Sequence, residues 1–323
     1  MKKIVILQHN EGQLANQLWL FPHLIAYSLE KRFDIDIWCF YQYTKFFNTP
    51  FPKNKLIKWL FFKTFPTFVL KNKNAFRFFR KIYRFFYKLL AIFPIKIFYS
   101  KNIVDSSQKQ IILDDESKKP DIIKKFETDP NFNTIYTMNW NFFAYTYLEK
   151  YRDEIKNIFK PKKQLFFKIE SYINDIRAKF DYIIGLHLRF KEPGDGDVND
   201  PEVFWYVENK DLNYVRQLLD ELFKIKNLNK AKTAVLIASN AKNLNLEPFK
   251  DLNIFYEKRN LVEDLFLLSR CDIILATKSS FSSWASYIEE KPYLIIYKNK
   301  NKFLKKMKVD KCYLWRKDLI KIL

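Results

Sequence analysis

From Tyr182 to Tyr297, short apolar runs alternate with stretches of helical period. Tyr182–Arg189, Thr233–Ala238, Ile254–Phe255, Ile273–Ala276 and Tyr293–Tyr297 are runs of strand length that lack an in–out alternation. Such runs suit strands covered on both faces, as in parallel sheets. Before and between them, residues 165–179, Asn209–Phe223, Leu261–Ser269 and Ser282–Glu289 read as helices. In Asn209–Phe223, Leu212, Val215, Leu218, Leu219 and Leu222 share one apolar side. Strand, helix, strand, repeated, is the signature of an α/β fold with a parallel sheet.

The N-terminus opens the same way. Residues 2–8 read as a buried strand, His9–Gln13 as a loop, and Leu14–Lys31 as a helix with Leu18, Phe21, Ile25 and Leu29 on one face. Pro22 lies inside that helix, where it can introduce a kink. A second strand follows over Ile35–Phe40, then a short one over Thr134–Asn139 and a helix over Tyr147–Ile155 that leads to Pro161. A length of 323 residues suits two domains. The expectation is two Rossmann-like α/β domains, residues 1–160 and 161–323, the first carrying a basic, helical insertion over 45–130.

That insertion is the one strong anomaly of composition. No Asp or Glu occurs from Ile37 to Val104, while Lys and Arg recur among Phe, Tyr and Trp, so this segment holds most of the net charge of +21. Residues 45–103 admit two readings. In one, helices lie on an anionic membrane surface; in the other, they pack on the domain with Lys exposed and Phe buried. Basic-aromatic surfaces also grip single-stranded nucleic acid, but no ribonucleoprotein, zinc or helix-turn-helix pattern accompanies this one, and no nucleic-acid partner is expected. Three widely spaced cysteines, Cys39, Cys271 and Cys312, argue against a disulfide framework or a zinc site and suit a reducing compartment. The run Ile4–Leu7 is too short for a signal peptide, and no simple membrane-spanning helix is expected.

Four stretches carry residues suited to ligand chemistry. Glu11-Gly12-Gln13-Leu14-Ala15-Asn16-Gln17 lies between a strand and a helix. Ligands of open α/β sheets bind there, and amides at a helix start suit phosphate. It lacks the G-x-G-x-x-G fingerprint, and an ordinary turn with Asn16 as a local hydrogen-bonder also explains it. His187 and Arg189 stand two apart at the end of an apolar strand, ahead of a loop rich in Gly and Asp, and so point to one side. Arg in that place can clamp a diphosphate; a structural His beside a surface ion pair is the plainer alternative. In the third stretch, Asp272–Trp284, a strand again ends and a helix begins. Its Ser280 or Ser282 is either a simple N-cap or part of a phosphate cradle. Fourth, Asp264 in an acidic helix start and Asn240 at a strand end fit local capping and turn roles as well as ligand contact.

In order and approximate spacing these stretches resemble the fucosyltransferases of the α1,2/α1,6/protein-O-fucosyl superfamily, most closely the bacterial α1,2-like group. Gly12-Gln13-Leu14-Ala15-Asn16-Gln17 stands where that group has G-G-L-G-N-Q, and His187-Leu188-Arg189 where it has H-x-R-R-G-D. Asp264–Cys271 resembles its D-L-x-L-M-S-x-C helix, and Ser279-Ser280-Phe281-Ser282-Ser283-Trp284 its S-S-F-S-W-W. Tyr147–Tyr151 and Ile155–Phe159 resemble Q-S-E-K-Y-F and I-R-x-E-F. The likeness covers about residues 1–40 and 134–297 and departs at Phe190-Lys191-Glu192, where the second Arg and the G-D are replaced, and at Ala15.

The resemblance implies a GT-B-like enzyme, with two Rossmann-like domains facing across a cleft, that inverts configuration while moving fucose from GDP-fucose to a glycan, as in surface polysaccharide or lipopolysaccharide synthesis. The GDP-sugar is then a co-substrate, and no metal or other cofactor is required. The carry-over makes Arg189, His187 and Asn16 catalytic, and assigns Gly12, Asn240, Asp264, Ser279, Ser280, Phe281 and Ser282 to the nucleotide sugar. Glu11 and Asp195 are candidates for general base. Asp195-Gly196-Asp197 also spells D-x-D, which would suit a manganese-dependent GT-A enzyme, but it lies deep in a loop. Such an enzyme is expected in the cytoplasm, peripheral on the inner face of the membrane, beside a lipid-linked acceptor. The alternatives are a transferase using another nucleotide sugar and a noncatalytic membrane-surface or nucleic-acid-binding protein that keeps the fold.

Overall fold

The computed structural model describes residues 1–7, 14–64, 73–106, 110–139, 141–192, 195, 196, 198 and 200–307. The chain divides into two compact units, Met1–Lys162 and Lys163–Leu323.

In the first unit, β1 (Lys3–Ile6) leads to α1 (Leu14–Glu30) and β2 (Asp34–Ile37). α1 is buried along most of its length, including Pro22, while Leu29, expected on its apolar face, is exposed at the last turn. Next come α2 (Lys55–Ile57), which continues as a π-helical turn over Lys58–Lys63, then α3 (Lys73–Tyr87), a second π-helical turn (Lys88–Ile92) and α4 (Phe93–Phe98). The expected insertion proves shorter than 45–130. β3 (Ile103–Asp105) already belongs to the main sheet, and β4 (Ile111–Ile112) and α5 (Asp121–Thr128) follow it. β5 (Thr134–Met138), β6 (Phe142–Phe143), α6 (Tyr145–Lys150) and α7 (Arg152–Ile158) complete the unit. The single helix expected over Tyr147–Ile155 is two, broken at Tyr151 (φ −110°, ψ 26°). The sheet order is β2-β1-β5-β3, all parallel.

The second unit runs α8 (Lys163–Arg177), β7 (Tyr182–Leu188), α9 (Leu212–Ile225), β8 (Thr233–Ser239), β9 (Asn253–Phe255), α10 (Leu261–Ser269), β10 (Ile273–Ala276), α11 (Ser280–Glu289), β11 (Tyr293–Ile295) and α12 (Lys300–Met307). Its parallel sheet has the order β11-β10-β7-β8-β9. α10 packs with α8 and α11, and α9 with α12, so the sheet carries two helical layers. α10 starts at a reciprocal capping box between Asn260 and Glu263. Among the described residues, Gly185 is the one glycine whose packing demands it. A Cβ there would sit 3.0 Å from both Cys271 Sγ and Leu268 Cδ2, so the close approach of the α10 end to β7 depends on a missing side chain.

This strand order fixes where a ligand can sit. The chain leaves β7 for β8 on one side, whereas β7's other neighbour, β10, leads on to α11 and β11. Successive connections therefore diverge between β7 and β10. In doubly wound sheets, the carboxyl ends of strands at such a switch point border the binding crevice.

Candidate active site

β7 and β10 end in register, with Ala276 beside His187. The Thr277 amide donates to the His187 carbonyl at 3.1 Å, and the Arg189 amide donates to Thr277 Oγ1 at 3.2 Å. The two strand ends are thus stitched together one residue past the ladder. That brings the His187–Arg189 stretch against the start of α11. His187 Nδ1 lies 2.5 Å from Ser282 Oγ, and its ring centroid is 5.0 Å from that of Phe281. Burial, helped by the neighbouring Arg189 charge, lowers the His187 pKa to about 3. Burial thus favours the neutral imidazole, which is joined to Ser282 by this contact.

Arg189 reaches out of this seam. Its Nη2 donates to Asp195 Oδ1 at 2.9 Å, and its Cζ sits 4.9 Å from the Tyr206 ring centroid. Asp195 is anchored in turn, its Oδ2 accepting the Glu192 amide at 3.0 Å. The strap that carries Tyr206 is tied down at three strand ends: Phe204 N to Ile296 O, Lys278 N to Phe204 O, and Val207 N to Arg189 O. The adjacent Trp205 covers a second cation, Lys278, whose Nζ lies 4.4 Å from the indole and 3.4 Å from Asp200 Oδ2. Burial lowers the pKa of this lysine, against the pull of Asp200.

Beside these cations stands the N-terminus of α11. Ser279 is its N-cap and accepts the Phe281 amide at 3.2 Å; Ser280 is half-buried, and Ser282 is buried. A helix start of this kind attracts anions through its oriented amides and dipole. With Arg189, Lys278 and hydroxyls close by, the end of the sheet can hold a diphosphate.

The other sequence-derived candidates fall in varied places. Asn240 holds the loop that follows Arg189: its Oδ1 accepts the Phe190 amide at 2.7 Å and its Nδ2 donates to the Phe190 carbonyl at 2.8 Å. Both ends of its amide are engaged, which makes it a loop clamp. Asp264 lies in the first turn of α10, with Oδ1 3.6 Å from Arg259 Nη1, and neither atom has a hydrogen bond. Burial pushes the Asp264 pKa up to about 7, against the pull of Arg259. Arg259 itself lies 4.7 Å over the Tyr172 ring. Asn16 sits half-buried in the first turn of α1, in the other unit. Gly12, Glu11 and Asp197 lie outside the described residues. Among the described residues, no group of three His, Cys, Asp or Glu is placed to hold a metal ion.

Sequence reasoning did not single out Tyr206, Trp205, Asp200 or Lys278. The run Phe204-Trp205-Tyr206, inside an otherwise polar loop next to two strand-end cations, was the available signal.

The comparisons with known proteins bear on the family and the fold. Glycosyl transferase family 11 matches residues 80–317, about three-quarters of the chain. No curated protein matches. Among solved structures, the chain is similar to the α1,6-fucosyltransferase NodZ of Bradyrhizobium soaked with GDP-fucose, at 14% identity and a TM-score of 0.50, covering 89% of this chain and 93% of that one. It is likewise similar to POFUT1 in complex with GDP-fucose, at 12% identity and a TM-score of 0.50, covering 90% and 94%. At these identities the likeness speaks for the fold, an α/β fold of GT-B type with Rossmann-like units. The chain belongs to glycosyl transferase family 11 and is a glycosyltransferase.

Proposed function

We propose that the protein transfers fucose from GDP-fucose to a hydroxyl of a glycan acceptor, with inversion at the anomeric carbon. The observation that carries this reading is the pairing of Arg189 at the end of β7 with the serine-lined start of α11, joined by the His187–Ser282 contact. GDP-fucose in the NodZ and POFUT1 structures supports the choice of donor.

In the reaction, the bond from the anomeric carbon to the β-phosphate oxygen breaks while the acceptor oxygen closes on the opposite face of the ring. The electron pair stays with the phosphate, and the sugar passes through an oxocarbenium-like state. Negative charge therefore grows on the β-phosphate, where a prepositioned guanidinium stabilises the transition state more than the ground state. Arg189 supplies that charge once the phosphate displaces Asp195. Ser279, Ser280 and the α11 amides hold the remaining phosphate oxygens, and Phe281 with neutral His187 packs the nucleotide. The Asp264 carboxylate fits the two donors on the Watson–Crick edge of guanine, N1–H and the 2-amino group. Gly12 serves the nucleotide sugar, Asn16 serves the acceptor side, and a carboxylate such as Glu11 takes the acceptor proton. The acceptor is a surface polysaccharide or lipopolysaccharide glycan, and no metal takes part.

Thermal shift with GDP, UDP, CMP and dTDP tests the donor class. A ligand at 100 times its Kd adds about 2.7 kcal/mol of stability. GDP is expected to raise Tm clearly above the other three; an equal or larger rise with UDP would replace the guanosine assignment.

A further inference from the structure

Large apolar side chains left on the surface are concentrated in one place. Among the described residues, eleven of seventeen lie between Leu56 and Tyr99. The helical run α3–α4 explains how. One stripe, Tyr87, Ala91 and Ile95, is buried and docks on the unit through Tyr41 and Phe61, whose ring centroids lie 5.8 and 5.3 Å from that of Tyr87. A second stripe, Phe78, Phe85, Leu89, Phe93 and Ile97, faces out, each residue 47–63% exposed. The spacings of seven, four, four and four residues place these side chains along one face. Trp59, 59% exposed, belongs to the neighbouring helical segment, which packs on the same Tyr41 through Phe61 and Phe62. The expectation of buried Phe with only Lys exposed is thus not met here: the buried stripe holds Tyr87, Ala91 and Ile95, while Phe78, Phe85, Phe86, Phe93 and Phe98 are exposed.

An apolar stripe of this length is rare on a soluble surface and marks a contact. Its charge selects the occupant. Residues 37–104 hold 14 Lys or Arg and no Asp or Glu, and exposed Lys81, Lys88 and Lys96 border the stripe. A second copy of the same face would meet like charge. Single-stranded nucleic acid would suit the cations and the aromatic rings, but Leu89, Leu90 and Ile97 offer nothing for a base to stack on. Aliphatic and aromatic side chains together, bordered by lysine, match the acyl–headgroup boundary of an anionic leaflet. No described helix is long and apolar enough to cross a membrane.

We propose that α3–α4, together with the Trp59 segment, is an interfacial platform that seats the protein on an anionic phospholipid bilayer, its outward stripe in the acyl boundary and its lysines among the headgroups. This placement stands apart from the donor assignment, because it uses none of the residues at the β7 end.

Flotation of the full chain with phosphatidylcholine vesicles, with and without phosphatidylglycerol, tests it. The protein is expected to float with the anionic vesicles only, and less as salt rises. The triple substitution Phe85→Ser, Leu89→Ser, Phe93→Ser is expected to lower partitioning on the order of tenfold or more. Lys81→Glu with Lys88→Glu is expected to lose roughly fivefold per residue on the anionic vesicles. Both variants change exposed positions, and donor hydrolysis in solution is expected to stay at the wild-type rate. Equal flotation with neutral and anionic vesicles, or variants that float like wild type, would overturn the proposal. So would single-stranded DNA that strips the protein from vesicles and binds the triple-serine variant as tightly as wild type.

Discussion

Removing the Tyr206 ring is the most informative perturbation short of Arg189 itself. Among the described residues the guanidinium has two holders, the Asp195 carboxylate at 2.9 Å and the ring at 4.9 Å, and the Arg189 side chain is 30% exposed. At such partial exposure the ion pair contributes no more than about 1 kcal/mol, and the ring about 1–2 kcal/mol. When a phosphate draws Asp195 away, the ring alone keeps the cation aimed. Tyr206→Ala therefore forfeits about 1–2 kcal/mol of positioning, which is about 5- to 30-fold in kcat. The donor KM should move by less than about threefold, because the phosphates keep their α11 contacts. Tyr206→Phe keeps the ring face and should stay within about twofold of wild type. Initial rates of GDP release from GDP-fucose measure both variants. If Tyr206→Phe is as slow as Tyr206→Ala, the hydroxyl rather than the ring matters, and the reasoning fails; it fails too if Tyr206→Ala keeps the wild-type kcat.

Other consequences are more local. Asn240→Ala strips both hydrogen bonds from the Phe190 backbone; urea unfolding should show a loss of about 1–3 kcal/mol, with a fall in kcat/KM as the loop carrying Arg189 loosens. Gly185→Ala drives a Cβ against Cys271 and Leu268 and should cost about 1–3 kcal/mol; adding Cys271→Ala should restore part of it, and no restoration would mean that the clash is not the cause. Asp264 keeps its proton up to about pH 7, whereas an unfolded Asp loses it near its ordinary value of 3.8. Unfolding between those values releases a proton, so stability should fall as pH rises from about 4 to 7, by at most about 4 kcal/mol. Asp264→Asn should flatten that slope. In the wild type, GDP affinity should rise through pH 7 as the carboxylate ionises, and a pH-independent affinity would remove Asp264 from guanine recognition.

How far the sequence foretold these features follows from how local their causes are. α10 and β10 were read to their last residues, because Asn260 and Glu263 cap the helix from within and the strand is a plain apolar run. The break at Tyr151 was not legible, since the apolar pattern continues through it. Nor was β3, whose three residues join the sheet only by pairing with β5, a distant part of the chain. At the site, His187, Arg189 and the serines were visible as residue types at strand ends and helix starts. Their holders were not: Tyr206 and Trp205 come from an irregular loop whose path is set by bonds to three different strands, and Asp195 was read as a candidate base, not as the partner of Arg189. Asn240, read as a turn residue as well as a ligand contact, fastens the Phe190 backbone with both ends of its amide.

The account rests on a guanidinium at the end of β7 meeting the charge that grows on a leaving diphosphate. Steady-state turnover of Arg189→Ala with GDP-fucose, on protein with wild-type thermal stability, tests that most directly. The expected result is a kcat lower by about 100- to 1000-fold. Turnover within about threefold of wild type would contradict it.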